Sequence, residues 1–326
     1  VSTQKVTINP NSVLVIRLDE PILEQSRKIP LNILLKNGPS SIPGLYDMTG
    51  LINQAADDPK IKGIDVKLGD DPNGLATNEE LRNALLNFRK SHKFIYAYGD
   101  YISQKAYYVA TAANKIFLNP KGDLDFRGFS TEILFLKGTL DKLEIEPQIF
   151  YDGKFKSATE PLRVKRMTEA NRIQTSAFLN DLFSNFLYHI GQARNIDTAT
   201  LFQYANEGLI QSAGDAFHYD LVDGLNYDDQ MMDTLRKPLE LGPDEQINFV
   251  SAGDYAKAGN DKSSAASVTD GDIAIIYAQG DIVDGSADGD KVQISADDYV
   301  KTIRKVREDK DIKAIVFRVN YPGGSA

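Results

Sequence analysis

Two segments of this 326-residue chain combine residue types that could carry acyl-transfer chemistry. The first is Tyr151-Asp-Gly-Lys-Phe-Lys-Ser-Ala-Thr-Glu-Pro161, whose chemically capable members are Lys156 and Ser157. A lysine acts as a general base only when neutral, and lowering its pKa from about 10.4 takes burial or a nearby cation. A shift of about 3 units costs roughly 4 kcal/mol, so only a well-packed site holds a lysine in that state. On residue type alone Lys154 is an equal candidate. The second segment is Tyr321-Pro-Gly-Gly-Ser325. Glycines accept positive φ and let a substrate approach bare amides. Two amides aimed at one point stabilise a tetrahedral oxyanion, each by about 3 kcal/mol. Pro-Gly-Gly is also a common tight turn.

Other chemistries lose their support in the composition. The chain has no cysteine, which removes disulfides, thiolate metal sites and a cysteine nucleophile. Its histidines, His92, His189 and His218, are scattered, and His189 falls among Phe186, Leu187 and Ile190, which suits a core or helix-edge position. No phosphate-binding G-x-x-x-x-G-K-[ST], dinucleotide G-x-G-x-x-G, zincin H-E-x-x-H or hydrolase G-x-S-x-G pattern occurs. The run from Asp284 to Asp290 is rich in oxygen ligands but lacks the closing glutamate of a calcium loop, and reads as a mobile acidic loop. No cofactor and no metal are therefore expected. A net charge of −9, from 46 acidic against 37 basic residues, argues against a nucleic-acid or anionic-membrane surface. The longest apolar runs, such as Val13 to Ile16 and Ile273 to Ala278, fall far short of the ~18 residues of a membrane span. The chain begins at Val1 without an initiator methionine, which suggests that a signal or anchor has been removed upstream.

Both candidate segments need a scaffold, and the surrounding pattern is α/β. Strands are predicted at Val13–Leu18, Ile61–Leu68, Phe94–Tyr98, Ile116–Leu118, Pro147–Tyr151 and Ala314–Val319, with helices at 45–56, 104–113 and about 168–194. A capping box, Thr77-Asn-Glu-Glu80, opens a further helix with the stripe Leu81, Leu85 and Phe88, and Thr168 caps the long one. Ser251 to Asp270, rich in Ser, Ala, Gly and Asp, reads as a linker. Beyond it the pattern restarts. Val13-Leu-Val-Ile-Arg-Leu-Asp-Glu-Pro-Ile22 matches Ile273-Ala-Ile-Ile-Tyr-Ala-Gln-Gly-Asp-Ile282, and Asp58-Pro-Lys-Ile-Lys-Gly-Ile64 matches Asp309-Lys-Asp-Ile-Lys-Ala-Ile315. Each copy then enters a proline turn, Gly69-Asp-Asp-Pro-Asn-Gly-Leu-Ala76 or Asn320-Tyr-Pro-Gly-Gly-Ser-Ala326. The expected organisation is one complete unit over residues 1–250, a linker over 251–270 and the truncated start of a second unit over 271–326. Carboxylates in the first turn would repel an oxyanion, so the first copy is the poorer site.

Several segments together resemble the signal peptide peptidase A (protease IV) family in its long tandem form. They are Tyr98-Gly-Asp-Tyr-Ile-Ser-Gln-Lys-Ala-Tyr-Tyr-Val-Ala110, Ala113-Asn-Lys-Ile-Phe-Leu118, Phe155-Lys-Ser-Ala-Thr-Glu-Pro161, Leu221-Val-Asp-Gly224 and Ile312-Lys-Ala-Ile-Val-Phe-Arg-Val-Asn-Tyr-Pro-Gly-Gly-Ser325. The resemblance covers nearly the whole chain. It implies a fold similar to the Clp protease and crotonase superfamily, a superhelix of ββα units. It also implies a serine endopeptidase with a Ser/Lys dyad, whose general-base lysine falls on Lys156. The nucleophilic serine of the family stands in an Ala-Ser-Gly-Gly segment downstream of the Pro-Gly-Gly turn, beyond these residues, so this chain alone is expected to be inactive. Gly323 and Gly324 inherit oxyanion and substrate-strand contacts. Ser325 is then not the nucleophile, and Ser103, near the nucleophile's counterpart in the first copy, is a vestige. The family further implies signal peptides and other unfolded peptides as substrates, homotetramers, an upstream membrane anchor and a catalytic part facing the bacterial periplasm. Two other functions share the fold: an acyl-thioester enzyme of the crotonase type, for which no basic coenzyme A site stands out, and a non-catalytic scaffold.

Overall fold

The computed structural model describes residues 6–26, 43–259, 273–287, 291–321 and 323–324. In chain order the first unit comprises β1 (Ser12–Arg17), α1 (Leu45–Asp57), β2 (Ile61–Lys67), α2 (Leu75–Arg89), β3 (Phe94–Ile102), α3 (Gln104–Ala110), β4 (Lys115–Leu124), α4 (Lys137–Lys142), α5 (Glu160–Arg163), α6 (Glu169–Arg194), α7 (Thr198–Glu207), α8 (Ala213–His218), β5 (Gly224–Leu225), α9 (Asp228–Arg236), β6 (Asn248–Ser251) and α10 (Ala252–Gly259). The second comprises β7 (Ile273–Gln279), β8 (Asp281–Val283), β9 (Gln293–Ser295), α11 (Ala296–Glu308) and β10 (Ala314–Asn320).

Strands β1 to β6 form one parallel sheet in the order β5-β4-β3-β2-β1-β6. Its central strands are apolar on both faces, as a sheet covered by crossover helices requires: Val13, Leu14 and Ile16 of β1 and Ile61, Ile64 and Val66 of β2 are almost fully buried. Helix α1 turns Leu45, Met48, Ile52 and Ala55 inward at helical spacing. Gly63 lets β2 and β3 close up, since a Cβ there would sit 2.5 Å from the Phe94 ring. Tyr107 of α3 is wholly buried and donates through its hydroxyl to the Leu221 carbonyl at 2.6 Å, tying α3 to the segment before β5. Phe126, Phe129, Phe183 and Phe186 interlock at centroid distances of 5.2–6.1 Å and fasten α6 beneath the sheet.

Three expectations meet a different outcome. Helix α2 begins at Leu75 with Gly74 in the cap position, so Thr77 lies inside it and forms no capping box. Glu80 is instead ion-paired to Arg318 at 2.6 Å. The predicted strand at Pro147–Tyr151 is irregular and pairs with no strand among the described residues, and Phe150 is 93% exposed. The predicted linker starts later than composition implies. Residues 252–259 form α10, whose Ala252 and Tyr255 are buried, and the Tyr255 hydroxyl donates to Asp58 Oδ2 at 3.0 Å. Alanines at helical spacing around one tyrosine suffice to dock a short helix, which a count of large apolar residues overlooks. The remainder of the linker, 260–270, lies outside the described residues.

Strands β7 and β10 pair in parallel, as β1 and β2 do. Their register is equivalent too. Val13 faces Gly63, and Ile273 faces Ala314, the four residues that the sequence match aligns. In the second copy, however, Ile315, Val316, Phe317 and Val319 are 45–49% exposed, and α11 buries nothing. No helix among the described residues is long and apolar enough to cross a membrane.

Candidate active site

Lys156 lies in the irregular segment between α4 and α5. Two local bonds shape this loop: Lys156 N–H donates to Gly153 O at 3.3 Å, and Glu160 N–H to Ser157 O at 2.9 Å. Its anchor is Glu160, which is 2% exposed. The carboxylate accepts from the Thr168 hydroxyl, from Thr168 N–H at 3.3 Å and from Asn171 Nδ2 at 2.9 Å. Thr168 in turn caps α6 as predicted, accepting from Asn171 N–H at 3.3 Å. The negative charge thus sits at the positive end of a 26-residue helix. Burial pushes the Glu160 carboxyl up, but the bonds from Thr168 and Asn171 outweigh it and hold the group below its ordinary value. Lys156 itself is exposed, as is Lys154, whose ammonium lies 5.7 Å from the Phe155 ring centroid. Ser157 is half-buried.

A carboxyl held below its ordinary value stabilises the fold above its unfolded pKa, and that stabilisation fades as pH falls through the folded value. Glu160→Gln is therefore expected to destabilise the chain by about 1–3 kcal/mol at pH 7. Thermal unfolding of both proteins from pH 7 to pH 3 should show the gap closing below the ordinary glutamate value of 4.5. A gap that stays constant across that range would remove the ionised carboxylate from the explanation.

The second candidate segment continues β10. Gly323 and Gly324 have φ of +123° and +156°, a region that disfavours side chains. Backbone contacts clamp the turn to β8: Ile282 N–H donates to Gly323 O at 3.1 Å, and Ile282 bridges Gly324. A Cβ on Gly324 would collide with the Ile282 carbonyl oxygen and lie 2.7 Å from its nitrogen, whereas a Cβ on Gly323 would meet open space. Among the described residues no acceptor takes the N–H of either glycine. Ser325 lies outside the described residues.

The equivalent turn of the first copy is filled by its own side chains. Asp71, 1% exposed, accepts from Asn73 N–H and Asn73 Nδ2 at 2.8 Å and from Asn78 Nδ2 at 2.7 Å. Burial pushes the Asp71 carboxyl up, against the bonds from Asn73 and Asn78. Asn73 Oδ1 takes Ile22 N–H at 2.7 Å, where the matching Ile282 N–H meets a backbone oxygen in the second copy. Ser103 is 6% exposed and its oxygen is occupied, accepting from Asp71 N–H at 3.2 Å and Ala106 N–H at 3.3 Å as the cap of α3. His189 is half-buried at a helix edge, its Nδ1 3.4 Å from Arg82 Nη1 and its ring packed against Tyr108.

Within this chain Lys156 has no hydrogen bond or ion pair to Gly323 or Gly324 among the described residues. What joins the two copies is a set of residues that local patterns do not single out: Glu24 and Glu80 of the first against Gln279, Arg318 and Asn320 of the second. Glu24 and Arg318 are 294 positions apart. The one available signal was that Arg318 and Asn320 belong to the matched Arg-Val-Asn-x-Pro-Gly-Gly-Ser segment and had no assigned task.

The sequence profile of peptidase family S49 matches residues 87–242, a stretch that includes Lys156 and Glu160. Protease 4 of Salmonella typhi is 36% identical over 294 residues, covering 86% of this chain and 46% of the relative. Protease 4 of Haemophilus influenzae is 32% identical over 292 residues, with the same two shares. The chloroplastic serine protease SPPA of Arabidopsis thaliana is 33% identical over 282 residues, covering 84% of this chain and 40% of the relative. The chain thus spans under half the length of each of these relatives.

Proposed function

Because this chain belongs to peptidase family S49, we propose that it forms the front part of a serine endopeptidase acting on cleaved signal peptides and other unfolded peptides. The observation that carries the reading is the Gly323–Gly324 turn, whose backbone only glycine suits and whose amides meet no acceptor among the described residues. An oxyanion site needs donors that are prepositioned and otherwise unemployed.

In this reading the general base is Lys156. Its neutral amine takes the proton of a serine hydroxyl as that oxygen attacks the scissile carbonyl. The carbonyl π bond breaks onto oxygen, and the amides of Gly323 and Gly324 receive the developing charge. Collapse expels the peptide amine, which takes the proton from Lys156, and water then releases the acyl group with Lys156 again as base. The serine is supplied from outside these residues. So is the surface that shields Lys156, since the base must be desolvated and here it is exposed. An extended peptide would add as a strand beside the turn, with apolar pockets choosing its side chains. The reading further has the intact protein as a homotetramer, anchored in the bacterial inner membrane upstream of this chain with its catalytic part in the periplasm. It requires no cofactor or metal. The units proposed are the complete copy through α10, ending near 259, a linker from there to 270 and the start of the catalytic copy.

Hydrolysis of a fluorogenic peptide tests the reading. The longer natural protein is expected to cleave it and residues 1–326 alone to show no turnover above buffer. Turnover by residues 1–326 would place the nucleophile within them and make Ser325 or Ser103 the next candidate.

A further inference from the structure

Glu24 follows β1, and though a carboxylate it is 4% exposed. Residues of the second copy converge on it. Arg318 donates from Nε at 2.6 Å and from Nη2 at 3.3 Å, Asn320 donates from Nδ2 at 3.0 Å, and Gln279 Oε1 accepts the Glu24 N–H at 3.0 Å. Arg318 Nη2 also pairs with Glu80 Oε1 on α2 at 2.6 Å. Tyr46 and Tyr277 meet edge to face at 6.4 Å, a further contact between the copies. In the first copy the residue matching Arg318 is Lys67, which pairs within its own strand with Asp65 at 2.9 Å. The outward-reaching arginine is therefore particular to the second copy.

We infer that Glu24 is a positioning residue for the Pro-Gly-Gly turn, holding β10 through Arg318 and Asn320 and so fixing Gly323 and Gly324 relative to the unit that carries Lys156. A guanidinium meeting a carboxylate with two of its nitrogens sets direction as well as distance. Here that fork grips the strand whose last residue, Asn320, is itself bonded to Glu24 and stands three positions before Gly323. The inference rests on the proposed peptidase reading, which divides base and oxyanion donors between the two copies. It accounts for the arginine and asparagine of the matched segment, which the chemistry of the turn leaves unused.

The test uses the longer natural protein with three variants, Glu24→Gln, Arg318→Lys and Lys156→Met, each measured for kcat and KM on a fluorogenic peptide and for Tm. Displacing reacting groups by about 1 Å costs on the order of 10²-fold in rate. Glu24→Gln is expected to lower kcat by about that factor with KM little changed. Arg318→Lys, which keeps the charge but loses the fork, should do the same. Wild-type kcat in Glu24→Gln, with Lys156→Met inactive, overturns the positioning role and leaves the peptidase reading standing. A kcat that falls only in proportion to the folded fraction overturns it as well. Full activity in Lys156→Met overturns the peptidase reading, and the inference with it.

Discussion

Lys156→Met is expected to remove peptide hydrolysis by the longer natural protein, with kcat/KM falling on the order of 10⁴-fold or more, as for other enzymes that lose the base activating a nucleophile. Methionine keeps a long unbranched stem and discards only the amine. Because Lys156 is exposed and, among the described residues, bonds through its backbone alone, the substitution should leave Tm nearly unchanged. A low rate would then report chemistry and not unfolding. Lys154→Met is the contrast, since that side chain lies over Phe155 in the same loop. Its kcat/KM should stay near wild type. Equal losses in both variants would mean that loop charge matters and no single base does, and normal activity in Lys156→Met would end the assignment.

Gly324→Ala is the second large effect. Its Cβ would strike the Ile282 carbonyl, and φ of +156° already excludes most side chains, so the turn must move away from β8. Loss of one oxyanion donor costs about 10²–10³-fold in kcat. The variant is expected to fall in that range with KM less affected. Gly323→Ala meets no neighbouring atom and suffers only from its φ of +123°, so its loss should be smaller. Steady-state kinetics of the two variants side by side checks the ranking. The reverse order would assign the critical amide to Gly323 and the clamp on β8 to structure alone.

In the first copy the equivalent turn is occupied by its own side chains. Asn73 stands where Gly324 stands in the second copy, and its amide binds Ile22 N–H, Glu20 O and Asp71 at once. Ser103 spends its oxygen on two backbone amides. Each replacement satisfies buried polar groups internally, which stabilises the unit. The parallel six-stranded α/β core is consistent with the Clp protease and crotonase-like architecture of the family.

Much of this molecule was legible from residue order. Strand after strand was announced by apolar runs, Thr168 by its position before a long periodic segment, and the repeat by paired matches whose strands share one register. Those features depend on neighbours in sequence, where periodicity and capping operate. Lys156 and the glycine pair were nominated by resemblance to family motifs, which are also local, whereas residue type alone left Lys154 equal to Lys156. The burial of Glu160, the filled turn around Asp71 and the grip of Glu24 on Arg318 came only from the tertiary structure. A carboxylate's partners are chosen by packing across the whole chain, and nothing at position 24 or 160 announces an arginine 294 residues away or a helix end eight residues on. Sequence therefore nominated the residues that could do the chemistry, and folding decided what each of them touches, because position in space is a property of long-range contacts and not of spacing.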